Sequence, residues 1–426
     1  MAAARPLWPQ ADTTDLQLFR WASAQPYCVL LHGCGTQTDA FGTYDWLLAV
    51  NKSHQTDYLK TVDALQLAIE NQDWLFGAFS YEAQSAFEPR MRRDPKAFLE
   101  VPETLFFVPD WVVAQRRGHQ EVEVMKGDAN QLWKEVKRYI DPPKQESKQP
   151  ELNFQSNFTR ERYHLTVEKV RQHIRQGDTY ELNLTQCFRA EGRLNDPFGF
   201  WLALTETSPV PFAGYGKWQD LHLACASPER FLQLQGDKLR TQPIKGTSPR
   251  YSDRGEDEKS RQRLQNSPKE QAENVMIVDL SRNDLNRVCE TGTVKVPHLF
   301  EVQPYRQVFQ MVSTVEGRKK QDLSPLEIFG TVFPPGSMTG APKIRTCELI
   351  EEMEGEGRGL YSGSLGYFDP IGNFDFNVVI RSLVFDGQRD ALSYHVGGAV
   401  TWDSDPEDEY QETLLKASAI LKTLKG

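Results

Sequence analysis

The chain has 426 residues, a formal net charge of −10, 39% hydrophobic and 11% aromatic residues. This composition supplies a large core and excludes a wholly disordered chain, and the acidic balance leaves no bulk basic field for nucleic acid. No apolar run approaches the roughly 18 residues of a membrane span, and the mean hydropathy is −0.56. Met1 to Pro9 shows no apolar segment of a signal peptide. The six cysteines include no C-x-x-C pair, so neither a disulfide framework nor a zinc ribbon is expected. Reduced thiols in a cytoplasmic setting are the expectation.

The first third mixes strand-like runs (Tyr27 to Leu31, Trp74 to Phe79, Thr104 to Phe107, Trp111 to Val113) with helical patches. Gly33-Cys34-Gly35 has the outline of a cysteine elbow, but nothing near it supports a nucleophile. Asp141 to Glu151 is polar and Pro-rich and reads as a surface connection, dividing the chain into 1–150 and 151–426. Beyond it Thr159 can cap a helix in which Tyr163, Val167, Val170 and Ile174 share a face and Gly177 ends the run. Tyr180, Leu182 and Leu184 then alternate as in a strand. Leu365 to Phe368, a turn over Pro370 to Asn373, and Phe374 to Leu383 read as a hairpin. Long strands and capped helices alternate without regular βαβ spacing. The fold expected is α+β, with large, mainly antiparallel sheets packed as a sandwich and helices outside.

One pattern occurs twice. Ser267 caps a helix with Pro268 at its first position; Glu270 would complete a capping box, and Glu270 and Glu273 share a face. Asp405 caps a second helix with Pro406 at its first position, and Glu409, Glu412 and Lys416 line one face. Two Glu-x-x-Glu faces can build an oxygen-only cluster suited to magnesium. Glutamates in a first helical turn also offset the helix dipole and need no metal.

Gly336 to Lys343 is a glycine-rich turn before an amphipathic stretch stopped by Gly355, an anion site in principle through its free N–H groups. Gly397 and Gly398 lie in a strand, where they permit close approach of a ligand to backbone, or a bulge. Lys245 stands at a strand end before Gly246, and Glu229 in a tight turn sixteen residues earlier. A lysine there is a solvated charge unless its surroundings make it a nucleophile.

Six strings in fixed order, over roughly residues 158–426, resemble the chorismate-utilising enzymes. They are Ser227 to Phe231, Pro243 to Thr247, Ala272 to Asp284, Gly336 to Lys343, Gly359 to Tyr367 and Asp403 to Glu412. That family includes anthranilate synthase component I, aminodeoxychorismate synthase component I, isochorismate synthase and salicylate synthase. The resemblance implies the anthranilate synthase component I fold. It also implies Mg2+ held by Glu273 and Glu412, with Glu270 and Glu409 beside it through water, on the ring carboxylate of chorismate. Tyr361, Arg381, Lys416, the Gly397-Gly398 backbone and the Thr339-Gly340 turn would hold the rest of the substrate.

Between Ile244 and Gly246, anthranilate synthases resemble one another in having alanine, and aminodeoxychorismate synthases have lysine, as here. The resemblance thus implies the second branch: chorismate plus ammonia gives 4-amino-4-deoxychorismate, toward 4-aminobenzoate and folate. Lys245 would attack C2 as the 4-hydroxyl leaves, ammonia would add at C4 and expel the lysine, and Glu229 would serve as acid and then base. Ammonia would come from a separate glutamine amidotransferase subunit, and a further lyase would finish the aromatic product. Isochorismate and salicylate synthases use a lysine in the strand near Tyr180, which holds none here. Anthranilate synthase component I is the alternative; Lys245 counts against it, as does Ser324, where many relatives have histidine. The segment that resembles the inhibitor-binding Leu-Leu-Glu-Ser of anthranilate synthases is Leu30-Leu31-His32-Gly33, so 1–150 reads as a degenerate effector-pocket region in which tryptophan feedback is not expected.

Overall fold

A computed structural model describes residues 14–36, 39–53, 58–91, 96–140 and 152–425. The connection 141–151 lies outside them. Among the described residues, strands form two sheets of eleven and nine, with antiparallel pairing throughout. Val29, Leu47 and Val112 of the larger sheet meet Phe76, Leu105 and Leu365 of the smaller in a shared core. Outside the larger sheet, helices Thr14–Ser23, Ala129–Arg138, Pro197–Thr207 and Ser418–Lys425 bury Phe19, Leu132, Trp201 and Ile420. Outside the smaller, helices Val62–Glu70, Pro268–Val288 and Pro325–Val332 bury Leu65, Leu285 and Phe329. The fold is therefore α+β, a sandwich of antiparallel sheets with helices outside, as the sequence leads one to expect.

Strands from both sides of the connection share each sheet. Tyr27–His32 pairs with Phe212–Trp218, and Leu75–Phe79 with Ser364–Phe368. The helix Arg160–Gln176 has Thr159 as its N-cap and Gly177, at φ 80°, as its C-cap. Among the described residues no helix is long and apolar enough to cross a membrane. All six cysteines are unpaired and buried. Burial pushes the Cys34 thiol up to about 12, so the cysteine elbow carries no reactive thiolate.

Three local expectations need correction. Tyr180 stands outside its strand and is exposed; the strand is Glu181–Glu191, and its first seven residues are buried on both faces. The alternation of Leu182 and Leu184 is real, but the opposite face is a buried polar stripe rather than a solvated one. The hairpin's second arm, read as Phe374 to Leu383, is split. Phe374–Asn377 pairs with Ser364–Phe368, whereas Ser382–Asp386 crosses to the other sheet. At the crossing Val378 N–H donates to Glu229 O (3.0 Å), and Arg381 takes φ 51°. Finally, Ser267 accepts from Glu270 N, but the reciprocal bond of a capping box is not formed. The full box is at Ser324 and Glu327.

Candidate active site

The glutamates of the first carboxylate pair sit in the opening turns of Pro268–Val288, and those of the second in Pro406–Lys416. Glu270 does not return to its own N-cap because its carboxylate turns toward Gly246; a Cβ there would lie 2.8 Å from Glu270 Oε2. Glu270 is held above the ordinary carboxylate range by burial first, then by Glu273 and Glu412. Glu409 is raised by burial and by Glu412 and Glu273, against a 2.7 Å bond from Ser404 Oγ. Glu412 is lowered, chiefly by Lys416, whose Nζ lies 2.8 Å from its Oε1. Lys416 also donates to Gly397 O (2.8 Å). A Cβ on Gly398 would meet Glu409 Oε2 at 3.0 Å and Lys416 Nζ at 3.7 Å, so this glycine keeps the space beside the carboxylates open. The structure thus brings Glu270, Glu273, Glu409, Glu412, Lys416, Gly397 and Gly398 into one neighbourhood.

Lys245 and Glu229 enter from the smaller sheet. The strand Ile244–Pro249 begins with a bulge: Ile244 opposes Val312 and Thr247 opposes Gln310, so one extra residue lies between them. Gly246 supplies the φ of 92° there. Glu229 lies between the strands Leu221–Ser227 and Arg230–Gln235, its N–H bonded to Ser227 Oγ at 3.2 Å. Its carboxyl is pushed up to about 7, because burial outweighs the neighbouring Ser337 hydroxyl, the Lys245 ammonium, the Ile244 backbone and Arg381. Lys245 also acts on Glu270 and Glu412, so it links the acid to the carboxylate helices. Tyr361 is buried, stacked on His395 with ring centroids 5.1 Å apart. Burial holds the His395 value down to about 3, so the ring is neutral. Burial raises the Tyr361 phenol, and Glu229 acts on it in the same direction.

Thr339 and Gly340 are placed differently from the rest. The Thr339 hydroxyl donates to the carbonyls of Pro335 and Gly336, and its own carbonyl accepts from Asn183 N–H (2.8 Å). Gly340, at φ 147°, pairs with Leu182, and a Cβ there would lie 2.1 Å from Glu181 O. These residues clamp the start of Glu181–Glu191. Lys343 is bound to Asp284 (2.6 Å) and to the carbonyls of Val332 and Pro334.

Sequence reasoning missed several residues. Glu354 and Arg358 form a buried pair at 2.6 Å, with Thr185 N–H and hydroxyl donating to Glu354 and Arg358 donating to Asn183 O and Met338 O. This network joins the central strand to the helix Lys343–Glu354 and the turn carrying Tyr361. Glu181 was also missed; its Oε2 lies 3.8 Å from Lys245 Nζ. The available signal was the polar set Glu181, Asn183 and Thr185, spaced by two and alternating with Leu182 and Leu184. Elsewhere a separate cavity between the sheets is lined by Leu31, His32, Gly33, Asp39, Arg230 and Asp375. It contains none of the candidate catalytic residues, and it lies where the chain resembles the inhibitor-binding segment.

An antiparallel sandwich with a carboxylate cluster beside a buried acid and a lysine defines the class of molecule, and comparison with known proteins agrees. The model of the chorismate binding enzyme family matches residues 13–422. The chain belongs to that family. It is 46% identical over 277 residues to "Aminodeoxychorismate synthase, chloroplastic" of Arabidopsis thaliana, covering 64% of this chain and 30% of that protein. It is 36% identical over 358 residues to "Aminodeoxychorismate synthase component 1" of Escherichia coli, covering 83% and 77%. The chain thus spans under a third of the plant relative. The anthranilate synthase component I of Streptococcus pneumoniae superposes with a TM-score of 0.75 at 26% identity, over 92% of this chain and 89% of that one.

The four glutamates suit a hard divalent cation in donor chemistry: oxygen only, on two helices, with Glu270 and Glu409 raised by burial first and then by their neighbours' charge. Among the described residues no three such groups close into a ready-made ligand shell.

Proposed function

We propose that the chain is the chorismate-binding component of an aminodeoxychorismate synthase, an amino-group transferase that forms 4-amino-4-deoxychorismate from chorismate and ammonia. The observation that carries this reading is the placing of Lys245, in the Gly246 bulge, beside Glu229, whose carboxyl burial keeps protonated near neutrality. A nucleophile and an acid in one buried site suit displacement of a hydroxyl. The similarity to proteins bearing that enzyme's name supports it.

In this reading Lys245 attacks C2 and Glu229 gives its proton to the departing 4-hydroxyl. Ammonia then adds at C4, the lysine leaves, and Glu229 takes back a proton. Arg381 and Lys416 meet the substrate's anionic groups, Tyr361 packs its ring, and Gly397 and Gly398 let it approach the backbone. Thr339 and Gly340 shape the wall that faces it. Glu273 and Glu412, with Glu270 and Glu409 beside them, would hold Mg2+, which when bound neutralises the ring carboxylate. A glutamine amidotransferase subunit supplies ammonia, a proposal supported by the "component 1" names of the Escherichia coli and Klebsiella aerogenes relatives.

The test is the product. Purified chain with chorismate, Mg2+ and ammonium at mildly alkaline pH should yield 4-amino-4-deoxychorismate, and 4-aminobenzoate only once a separate lyase is added. Glutamine should replace ammonium only when the glutaminase is present. Anthranilate as main product overturns the reading.

A further inference from the structure

We infer that Glu181 is the positioning residue for Lys245, holding its amine and accepting its proton before attack; this rests on the reading of Lys245 as the nucleophile. Glu181 opens the strand Glu181–Glu191, and its side chain is 3% exposed, that of Lys245 13%. Its Oε2 is buried and makes no hydrogen bond. The Lys245 Nζ lies 3.8 Å from that oxygen, beyond a direct hydrogen bond but within ion-pair range. Catalytic hydrogen bonds are often this long before substrate arrives and tighten in the complex.

The main chain around Glu181 is fixed tightly. Thr179 Oγ1 donates to Glu181 O at 2.7 Å, and Ala341 pairs opposite it. Gly340 packs so closely on Glu181 O that no side chain fits. A carboxylate on so rigid a base, with one oxygen unsatisfied, is unlike the other buried acids. Asp284 is met by Lys343, Glu354 by Arg358 and Thr185, and Asp39 and Asp375 by Arg230. Those are scaffold charges with their lone pairs engaged; Glu181 keeps one free and aims it at the lysine.

Two carboxylates therefore flank Lys245 with opposite tasks. Glu229, which burial keeps protonated up to about pH 7, is the proton donor. Glu181 is the acceptor. Lys245 passes a proton to Glu181, freeing its electron pair. The nitrogen–C2 bond forms, both conjugated ring double bonds shift by one position, and the C4–O bond breaks with its electron pair. The oxygen takes the Glu229 proton and leaves as water. Ammonia then bonds to C4, both double bonds shift back, and the C2–nitrogen bond breaks with its pair going to Lys245. The C4 ammonium reprotonates Glu229, and Glu181 returns its proton to the lysine. The sum is chorismate plus ammonia giving aminodeoxychorismate plus water.

The experiment uses the full chain with chorismate and Mg2+. Without ammonia, quenched samples are followed by mass spectrometry for the adduct on the peptide carrying Lys245. Glu181→Gln should form it about 10²- to 10⁴-fold more slowly, with an unchanged KM for chorismate in steady state. Glu181→Asp should keep more activity than Glu181→Gln, and formate should rescue Glu181→Ala but not Lys245→Ala. Thermal unfolding identifies any variant that does not fold, and the Asp variant then carries the comparison. Adduct formation at the wild-type rate in Glu181→Gln, or a raised KM with kcat intact and no formate rescue, overturns the role of Glu181 alone. A wild type that forms no adduct, together with an active Lys245→Arg, overturns the nucleophile reading beneath it.

Discussion

Glu229→Gln tests the central acid without relying on turnover. Burial lifts the folded-state value of Glu229 from 4.5 to about 7. Below pH 4.5 both folded and unfolded chains hold the proton, and the group has no effect on stability. As pH rises toward 7 the unfolded chain releases it while the folded chain retains it, so stability falls. Above 7 both are ionised and the loss levels off. At about 1.4 kcal/mol per pH unit, the loss at pH 8.5 amounts to about 3 kcal/mol. Glutamine has the same shape, can still accept from the Ile244 backbone, and never ionises. Glu229→Gln should therefore unfold like the wild type at pH 4.5 and be more stable by about 2–3 kcal/mol at pH 8.5 in chelator-treated buffer. Activity should fall about 10²- to 10⁴-fold. Urea unfolding at a series of pH values measures the difference. A gap between the variant and the wild type that is independent of pH, or a variant less stable at pH 8.5, refutes the assignment of a buried, proton-holding carboxyl.

Other outcomes follow from the same geometry. Mg2+ should raise the wild-type unfolding temperature, and Glu273→Gln or Glu412→Gln should flatten that response and lower activity by orders of magnitude; an undiminished response leaves these glutamates as helix-end charges. Lys245→Ala and Lys245→Arg should both lose aminodeoxychorismate formation, since a guanidinium stays charged and cannot attack, and substantial turnover by the arginine variant would reduce the lysine to an orienting charge. Gly340→Ala should cost at least about 3 kcal/mol by denaturant unfolding, because its Cβ would lie 2.1 Å from a backbone oxygen at φ 147°. Gly236→Ala, at φ 64° with nothing within 4 Å, should cost only about 1–2 kcal/mol, and equal losses for the two would show that crowding against Glu181 is not the cause.

Local signals carried much of the fold. Thr159 and Gly177 bound their helix because a side-chain acceptor and a left-handed glycine act within a few residues. The Thr104–Phe107 strand was legible from Leu105, Phe106 and Phe107 in a row behind a β-branched threonine. The split at Val378 to Arg381 was not, since crossing between sheets depends on partners more than a hundred residues distant, such as Glu229 and Ala226. The missing half of the Glu270 capping box failed for a related reason. Helix-end chemistry favours turning back to the N-cap, but the space left by Gly246 lets the carboxylate face the cluster instead. Within the site, Lys245 and Glu229 stood out by type and position, but their meeting depends on a bulge and a turn from different strands. Glu181 was hidden because a strand's polar face reads as solvated until its neighbours cover it.

The buried charges separate structure from chemistry in this molecule. Arg230 lies between Asp39 and Asp375 with its guanidinium over the Phe212 ring, and Arg358 between Glu354 and backbone carbonyls over Tyr81. In both, each charge is held by hydrogen-bonded partners, so removing one member should leave an uncompensated ion and unfold the surroundings. Glu229, Glu270 and Glu409 show the opposite condition: burial raises all three, neighbouring carboxylates add to it at Glu270 and Glu409, and their partners do not cancel the shift. Glu181 adds an oxygen with no hydrogen bond. A folded chain gains nothing in stability from gathering such groups. Their convergence around Lys245 makes sense when a substrate or cation completes their interactions, which supports the proposed site.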